Sequence, residues 1–200
     1  MVDAIVPAAG LGSRFGGIKP LMRCDGETAV ARVVDALRAA GVDRVLVVVG
    51  HHATEVADAA QRAGAEVVAN PDYECGLASS LVAGLRAAKD ARDGILVLHA
   101  DMPHVREETI RAVLDAGRRG ASIARPVVDG RPGFPVFFAD DHREALIGEL
   151  HGDTGAREYI ARHQEALVSI DVDDAGSVAD VDVQETGSEG STRGKIVRTA

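Results

Sequence analysis

Short apolar runs alternate along the chain with longer alanine-rich segments in which apolar positions recur every three to four residues. The short runs predict β-strands at residues 4–6, 44–49, 66–69, 94–98, 121–124 and 167–170. The longer, amphipathic segments predict helices at residues 29–40, 53–63, 77–91, 107–118, 141–149 and 154–163. Because strands and helices take turns and the strands are almost wholly apolar, we expect an α/β fold, a three-layer sandwich with a mostly parallel, Rossmann-like sheet.

The rhythm changes in the second half of the chain. A turn-rich segment at residues 127–135 leads into the apolar run 136–138, which we expect to form an inserted hairpin or an edge strand. Residues 186–200 are polar and glycine-rich, which predicts a disordered tail. The 200-residue length suits one domain, so we expect a single domain over residues 1–185.

Composition and charge exclude several classes of function. The formal net charge is −9 and no basic stripe is present, so we expect neither nucleic acid nor a membrane surface as a partner. No apolar run approaches the roughly 20 residues that span a bilayer, and the first residues do not resemble an export signal. The two cysteines lack the spacing of a zinc site. A cytoplasmic α/β enzyme is the expectation.

A glycine-rich loop at residues 7–17 follows the first predicted strand and carries the main chemical hypothesis. Its small residues allow backbone N–H groups to close on phosphate oxygens, while Arg14 and Lys19 supply positive charge in an acidic chain. A Walker loop is excluded because Ile18 separates Gly17 from Lys19. The glycine spacing is also one residue too long for a dinucleotide fingerprint. The loop therefore predicts a different kind of phosphate site.

An acid stands at the expected ligand-binding edge of the sheet. Asp101 comes shortly after the apolar strand at residues 94–98, and ligands of parallel sheets bind at the carboxyl ends of the strands. A carboxylate in that position is suited to hold Mg²⁺ that is shared with substrate phosphates. The competing interpretation is that Asp101 caps the helix after Pro103.

Several short motifs occur together and in one order. Ala8-Ala9-Gly10-Leu11-Gly12-Ser13-Arg14-Phe15-Gly16 with Lys19-Pro20-Leu21 resembles nucleotidyltransferases of the nucleotide-diphospho-sugar transferase fold. Further matches lie at residues 70–73, 76–81, 100–103, 130–135, 152–157 and 180–182. Within that superfamily the chain is similar to the molybdenum cofactor cytidylyltransferase family over about residues 3–185.

The resemblance implies a Mg²⁺-dependent transfer of CMP from CTP, or from another NTP, to molybdopterin with release of pyrophosphate. A molybdoenzyme or its chaperone would be the protein partner. Arg14, Lys19 and Asp101 would be the catalytic residues, and Asp101 with Asp182 the metal ligands. The implied nucleotide-binding residues are Ala8, Ala9, Gly10, Leu11, Gly12, Ser13, Arg14, Lys19, Asn70, Gly76, Ser79 and Ser80.

The chain departs from the family pattern at two places, which leaves the acceptor and the reaction open. Phe134 replaces the histidine of the family's Gly-His-Pro, and Val183 follows Asp182 where the family has threonine. The acceptor is therefore molybdopterin or another phosphorylated small molecule, such as a sugar phosphate or phospho-lactate. Two further hypotheses are a nicotinamide-dependent reductase and a binding module without turnover. Asp153 is expected to cap the helix after it, and Arg157 to reach an anionic acceptor.

Overall fold

The fold was determined from a computed structural model that describes residues 1–10, 17–153, 155–182 and 195–198, with residues 181–182 and 195–198 described by their backbone. The strands are β1 (Val2–Pro7), β2 (Arg23–Cys24), β3 (Glu27–Thr28), β4 (Arg44–Val49), β5 (Glu66–Ala69), β6 (Gly94–Val97), β7 (Ile123–Val128), β8 (Arg131–Pro132), β9 (Val136–Phe138), β10 (Leu167–Asp171), β11 (Ala179–Asp182) and β12 (Lys195–Arg198). The helices are α1 (Ala29–Ala39), α2 (Ala53–Arg62), α3 (Leu77–Ala87), α4 (Glu107–Arg118), α5 (Arg143–Glu149) and α6 (Arg157–Arg162).

The central sheet has the strand order β10-β7-β9-β6-β1-β4-β5, with β8 paired to β7. Four neighbouring pairs are parallel: β1 with β4, β1 with β6, β4 with β5, and β7 with β10. Strand β9 runs antiparallel to both of its neighbours. The mostly parallel sheet that the sequence predicts is confirmed.

The segment after residue 126 differs in part from the expectation. Strands β7 and β8 form the expected hairpin, since Val127 pairs with Pro132 and Val128 with Arg131. The expectation of an edge strand at residues 136–138 was wrong, because β9 lies between β6 and β7 inside the sheet. All three of its side chains are buried, which is typical of a strand covered on both faces rather than one with a solvated edge.

The sheet separates two apolar layers. Helices α1, α2 and α4 cover one face, which receives alternate residues of β1 such as Ala4 and Val6. Helices α3, α5 and α6 cover the other face. That face receives Ile5, which lies between Ala4 and Val6 in the strand. Burial of one large aliphatic side chain contributes about 1.5–3 kcal/mol, so both layers stabilise the fold substantially. The three-layer sandwich is confirmed.

The last described strand lies apart from the central sheet. Strand β12 pairs antiparallel with β11, so the backbone of residues 195–198 is extended alongside residues 179–182. The boundary between domain and tail at residue 185 stays a prediction. Within the described part of the chain, no helix combines the length and the apolarity needed to cross a membrane.

Candidate active site

A cleft of about 390 Å³ opens at the carboxyl ends of β1 and β6. It is bordered by the loop after β1, by Lys19 and by Asp101. This is the edge of the sheet where ligands of parallel α/β folds bind. The structure therefore brings the described part of the glycine-rich loop and the predicted acid into one cavity.

The first residues of the glycine-rich loop are fixed by the sheet. The N–H of Ala8 donates to the carbonyl of Val48 at 2.8 Å, and the carbonyl of Ala9 accepts from the N–H of His51 at 3.3 Å. The side chains of Ala8 and Ala9 are buried, whereas Gly10 is exposed. These three residues line the cleft. Leu11, Gly12, Ser13 and Arg14 lie outside the described residues, so their predicted roles stay predictions.

Lys19 connects two acids that are far apart in the sequence. Its Nζ lies 2.8 Å from Oδ2 of Asp180 and 3.6 Å from Oδ2 of Asp101. The three side chains are 15%, 30% and 27% exposed for Lys19, Asp180 and Asp101, so solvent screens the interaction only in part. An ammonium between two carboxylates offsets their mutual repulsion and holds them near each other.

Asp180 is held beside Lys19, which lines the cleft, because the segment before it is anchored. The buried carboxylate of Asp174 accepts a hydrogen bond from the hydroxyl of Thr109 at 2.6 Å and from the N–H of Arg106 at 2.9 Å. A Cβ at Gly176 would clash with the carbonyl oxygen of His104, so only glycine fits against that loop. The chain before β11 is thus fixed to the start of α4.

The two predicted metal ligands have different outcomes. Asp101 lines the cleft, and the cap at the start of α4 is supplied by Asp174 instead, so the capping interpretation of Asp101 was wrong. The side chain of Asp182 lies outside what the structure describes, and its role stays a prediction. Sequence reasoning missed Asp180, although the acidic motif at residues 180–182 contained it.

Asn70, in the connection between β5 and α3, contacts two serines in the first turn of α3. Asn70 Nδ2 donates to the hydroxyl oxygens of Ser79 and Ser80 at 2.9 and 3.0 Å, and its Oδ1 accepts from the N–H of Asp72 at 3.0 Å. Ser80 lines the cleft, whereas Asn70 and Ser79 line an adjacent groove. Asn70 therefore orients the first turn of α3 rather than facing the cleft itself.

Gly76 and Asp153 form the junction at the start of α3. Gly76 has a φ of +97°, and a Cβ there would lie 2.5 Å from Oδ1 of Asp153. The same oxygen accepts from the N–H of Leu77 at 3.3 Å. Asp153 thus caps α3 and not α6, so the predicted capping partner was wrong. A turn that packs against a distant helix cannot be identified from local spacing.

A second cavity of about 490 Å³ adjoins the first cleft, and His99 borders both. The ring of His99 meets the ring of Phe134 edge-on, with centroids 4.6 Å apart. Burial lowers the pKa of His99, while Asp101 and Asp180 act in the opposite direction. Burial is the larger effect, so the imidazole is neutral at pH 7 and suited to hydrogen bonding. Sequence reasoning did not single it out.

The two acids beside Lys19, one of which lines the cleft, suit a divalent cation that is shared with a substrate. Among the described side chains, no group of three or more His, Cys, Asp or Glu residues is placed to hold a metal ion. Mg²⁺, however, is commonly held by one or two carboxylates together with substrate phosphates and water. Asp101 and Asp180, both within ion-pair distance of one ammonium, provide such a donor set.

Comparison with known proteins places the chain in a family of nucleotidyltransferases. The family model described as MobA-like NTP transferase domain matches residues 4–167. The chain is 31% identical to the nicotine blue oxidoreductase of Paenarthrobacter nicotinovorans, over 92% of this chain and 93% of that protein. It is 25% identical to the molybdenum cofactor cytidylyltransferase of Escherichia coli, over 92% of both.

Solved structures share the fold. Rv0371c of Mycobacterium tuberculosis has a TM-score of 0.79 and 27% identity, covering 91% of this chain and 92% of that one. A nucleotidyl transferase from Methanothermobacter thermautotroptrophicus has a TM-score of 0.76 and 26% identity, covering 89% and 90%. A further structure of Rv0371c, with a TM-score of 0.73, 26% identity and coverage of 86% and 88%, is a complex with manganese.

Proposed function

The chain belongs to the family of MobA-like NTP transferase domains and is a nucleotidyltransferase, and on that premise we propose that it transfers CMP from CTP to molybdopterin and releases pyrophosphate. The observation that carries the proposal is the position of Lys19, within ion-pair distance of Asp101 and Asp180, in the cleft that residues 7–10 also line. A cation and two carboxylates are the groups needed to bind a triphosphate with its counter-ion.

In this proposal the chain positions the reactants and balances their charge. The backbone of residues 8–10 and the ammonium of Lys19 bind the triphosphate, with Arg14 as a predicted further cation. An oxygen of the acceptor phosphate attacks the α-phosphorus, the bond to the β-phosphate oxygen breaks, and pyrophosphate leaves. No protein nucleophile is required, because orientation and charge stabilisation account for such a transfer.

Asp101 and Asp180 would hold Mg²⁺, with Asp182 as a predicted further ligand. Bound there, Mg²⁺ would neutralise charge on the phosphates of the nucleotide. The carboxylates keep their positions through Lys19 and through the anchoring of the segment before β11. The partners in this proposal are CTP, molybdopterin or another phosphorylated small molecule, and a molybdoenzyme or its chaperone.

A nicotinamide-dependent reduction is the second candidate. The relative named nicotine blue oxidoreductase is 31% identical over nearly the whole chain. The aromatic Phe134, in place of the histidine that the resemblance leads one to expect, gives the second cavity an apolar wall suited to a planar substrate. In that case the cleft would bind the phosphates of a dinucleotide instead of a triphosphate.

The experiment that tests the proposal compares the four nucleoside triphosphates. Purified protein is incubated with Mg²⁺, molybdopterin and CTP, GTP, ATP or UTP, and pyrophosphate release is followed. Release with CTP in preference to the other three supports the proposal. The absence of release with all four nucleotides, together with NADPH oxidation in the presence of a redox dye, would favour the second candidate.

A further inference from the structure

An arginine in the wall of the second cavity has no described protein partner. Arg125 lies in β7 and is half-buried. Its Nε is buried without a hydrogen-bond acceptor, and among the described residues its guanidinium forms no ion pair. Buried polar groups are nearly always paired, so one that is not calls for a physical explanation.

Two other arginines provide the comparison. Arg44 and Arg143 also leave Nε without an acceptor. Arg44, however, donates through its terminal nitrogen to Asp3 at 2.9 Å and to the carbonyl of Ala87 at 3.0 Å. Arg143 donates in the same way to Asp140 and to a main-chain carbonyl. Both therefore stabilise the fold through a carboxylate, and Arg125 does not.

The missing partner has an energetic cost. Burial lowers the pKa of Arg125, which means that its surroundings disfavour the charged form. A guanidinium nevertheless remains protonated at neutral pH, so the charge stays in a partly desolvated position. A charge held there without compensation destabilises the protein. A ligand that supplies the missing anion would remove this cost.

The other residues of the cavity indicate the chemical character of the part of the ligand that does not carry the anion. Its walls are largely apolar and include Leu81, Phe134, Val136 and Ile160. It adjoins the nucleotide cleft through His99, and the exposed Arg157 borders it. The cavity is lined by two arginines and by one acid, Asp153, whose carboxylate caps α3, so the charge of its lining favours an anion.

We propose that this cavity receives the acceptor of the transfer and that Arg125 is a specificity residue that binds its anionic group. The ligand class is a small molecule with a phosphate or carboxylate on an apolar or planar body. The anion pairs with the guanidinium, and the body packs against Phe134. The assignment of this ligand as acceptor rests on the proposed function, because it takes the adjoining cleft to hold the nucleotide.

The test uses three simple probes of similar size on the whole protein: phenyl phosphate, benzoate and benzyl alcohol. Binding is measured by NMR titration of the methyl groups of Val136 and Ile160. We expect saturable binding of at least one anion. Comparing the affinity for phenyl phosphate with the affinity for benzoate distinguishes a phosphate from a carboxylate ligand. We expect benzyl alcohol to bind at least tenfold more weakly. Equal affinity for benzyl alcohol, or no saturable binding of either anion, would overturn the proposal.

Variants of Arg125 separate this role from a structural one. Arg125→Met is expected to weaken anion binding at least tenfold while leaving the thermal midpoint unchanged or higher, because it removes an uncompensated charge. Arg125→Lys keeps the charge and is expected to retain part of the affinity, so it tests the proposal if Arg125→Met fails to fold. The matched control is Arg119→Gln, an exposed arginine directly after α4, which should bind like the wild type. Unchanged anion affinity in Arg125→Met would contradict the proposal.

The outcome is distinguishable from a failure of the proposed function. Pyrophosphate release and CTP affinity are measured on the same variants. Anion binding that depends on Arg125 in a protein that releases no pyrophosphate would overturn the nucleotidyl transfer to molybdopterin and keep the anion site. Pyrophosphate release with anion binding that does not depend on Arg125 would overturn the anion site and keep the transfer.

Discussion

The ammonium of Lys19 lies 2.8 Å from Oδ2 of Asp180, although 161 positions separate the two residues in the chain. Lys19 follows the phosphate loop, and Asp180 lies in β11 near the other end of the described sequence. The site therefore forms only when both ends of the fold are in place, and variants at either end should affect it.

Asp101→Asn should reduce nucleotidyl transfer by about 10²-fold or more, because it removes a charge from the site where phosphate charge is balanced. The matched control is Asp115→Asn on the exposed face of α4, where, among the described residues, the carboxylate pairs with Arg118 at 3.2 Å. Pyrophosphate release measures the effect, and circular dichroism checks the fold. Equal activity of the two variants would contradict the role of Asp101.

Lys19→Met and Asp180→Asn should show coupled effects on stability. Since their charged groups are in contact and only partly exposed, a double-mutant cycle should give a coupling free energy of about 0.5–1 kcal/mol. Urea unfolding of the four proteins measures it. Strictly additive changes in the free energy of unfolding would mean that the contact contributes nothing.

Gly176→Ala should destabilise the protein by about 1–3 kcal/mol, since the new Cβ would clash with the carbonyl oxygen of His104. It should also lower activity, because the segment that positions Asp180 would move. Gly148→Ala is the matched control: nothing lies within 4 Å of its added Cβ, and alanine is favoured in helix α5. Thermal unfolding and pyrophosphate release are measured on both variants. Equal stability and activity of the two would refute the close approach of Gly176 to the carbonyl oxygen of His104.

A half-buried histidine should make stability depend on pH. Nε2 of His142 lies 2.7 Å from the hydroxyl oxygen of Ser122, and Nδ1 lies 2.6 Å from that of Tyr159. Burial, and next the nearby His163, lower the pKa of His142 below its usual 6.5. The unfolded chain then binds more protons than the folded one, so the free energy of unfolding falls as the pH drops from about 6.5 towards the lowered pKa.

His142→Gln should therefore flatten part of this dependence, while His99, whose pKa is also lowered, keeps the rest. The control is His151→Gln, an exposed side chain that contacts the carbonyl of Glu149, which should leave the dependence unchanged. Urea unfolding between about pH 5 and pH 8, the range in which histidine titrates, measures both. A dependence that is identical in wild type and His142→Gln would rule out the assignment.

Much of the fold could be predicted because its information is local. Apolar runs and amphipathic periodicity identify β1, β4, β5, α1, α2 and α4 within a few residues. For β9 the sequence predicts an inserted hairpin or an edge strand, and the position between β6 and β7 is not predicted, because it depends on pairing with distant strands. The sequence pattern contains the apolar character of that strand but not its neighbours in the sheet.

The candidate site shows the same limit. The loop motif and the strand that precedes Asp101 placed two of its elements correctly at one edge of the sheet. Asp180, His99 and Arg125 could not be selected from sequence, since their importance comes from contacts with residues many positions away. A cap that binds a distant helix, as Asp153 does, escapes prediction for the same reason.

The most direct measurement follows the α-phosphorus of the nucleotide. Wild-type protein is incubated with CTP labelled at the α-phosphate, Mg²⁺ and molybdopterin, and the labelled products are separated. We expect the label to appear in the acceptor with one pyrophosphate released for each CMP transferred, and Asp101→Asn to reduce both by about 10²-fold or more. Label that remains entirely in CTP, from a protein that is folded and binds the nucleotide, would contradict the proposed transfer.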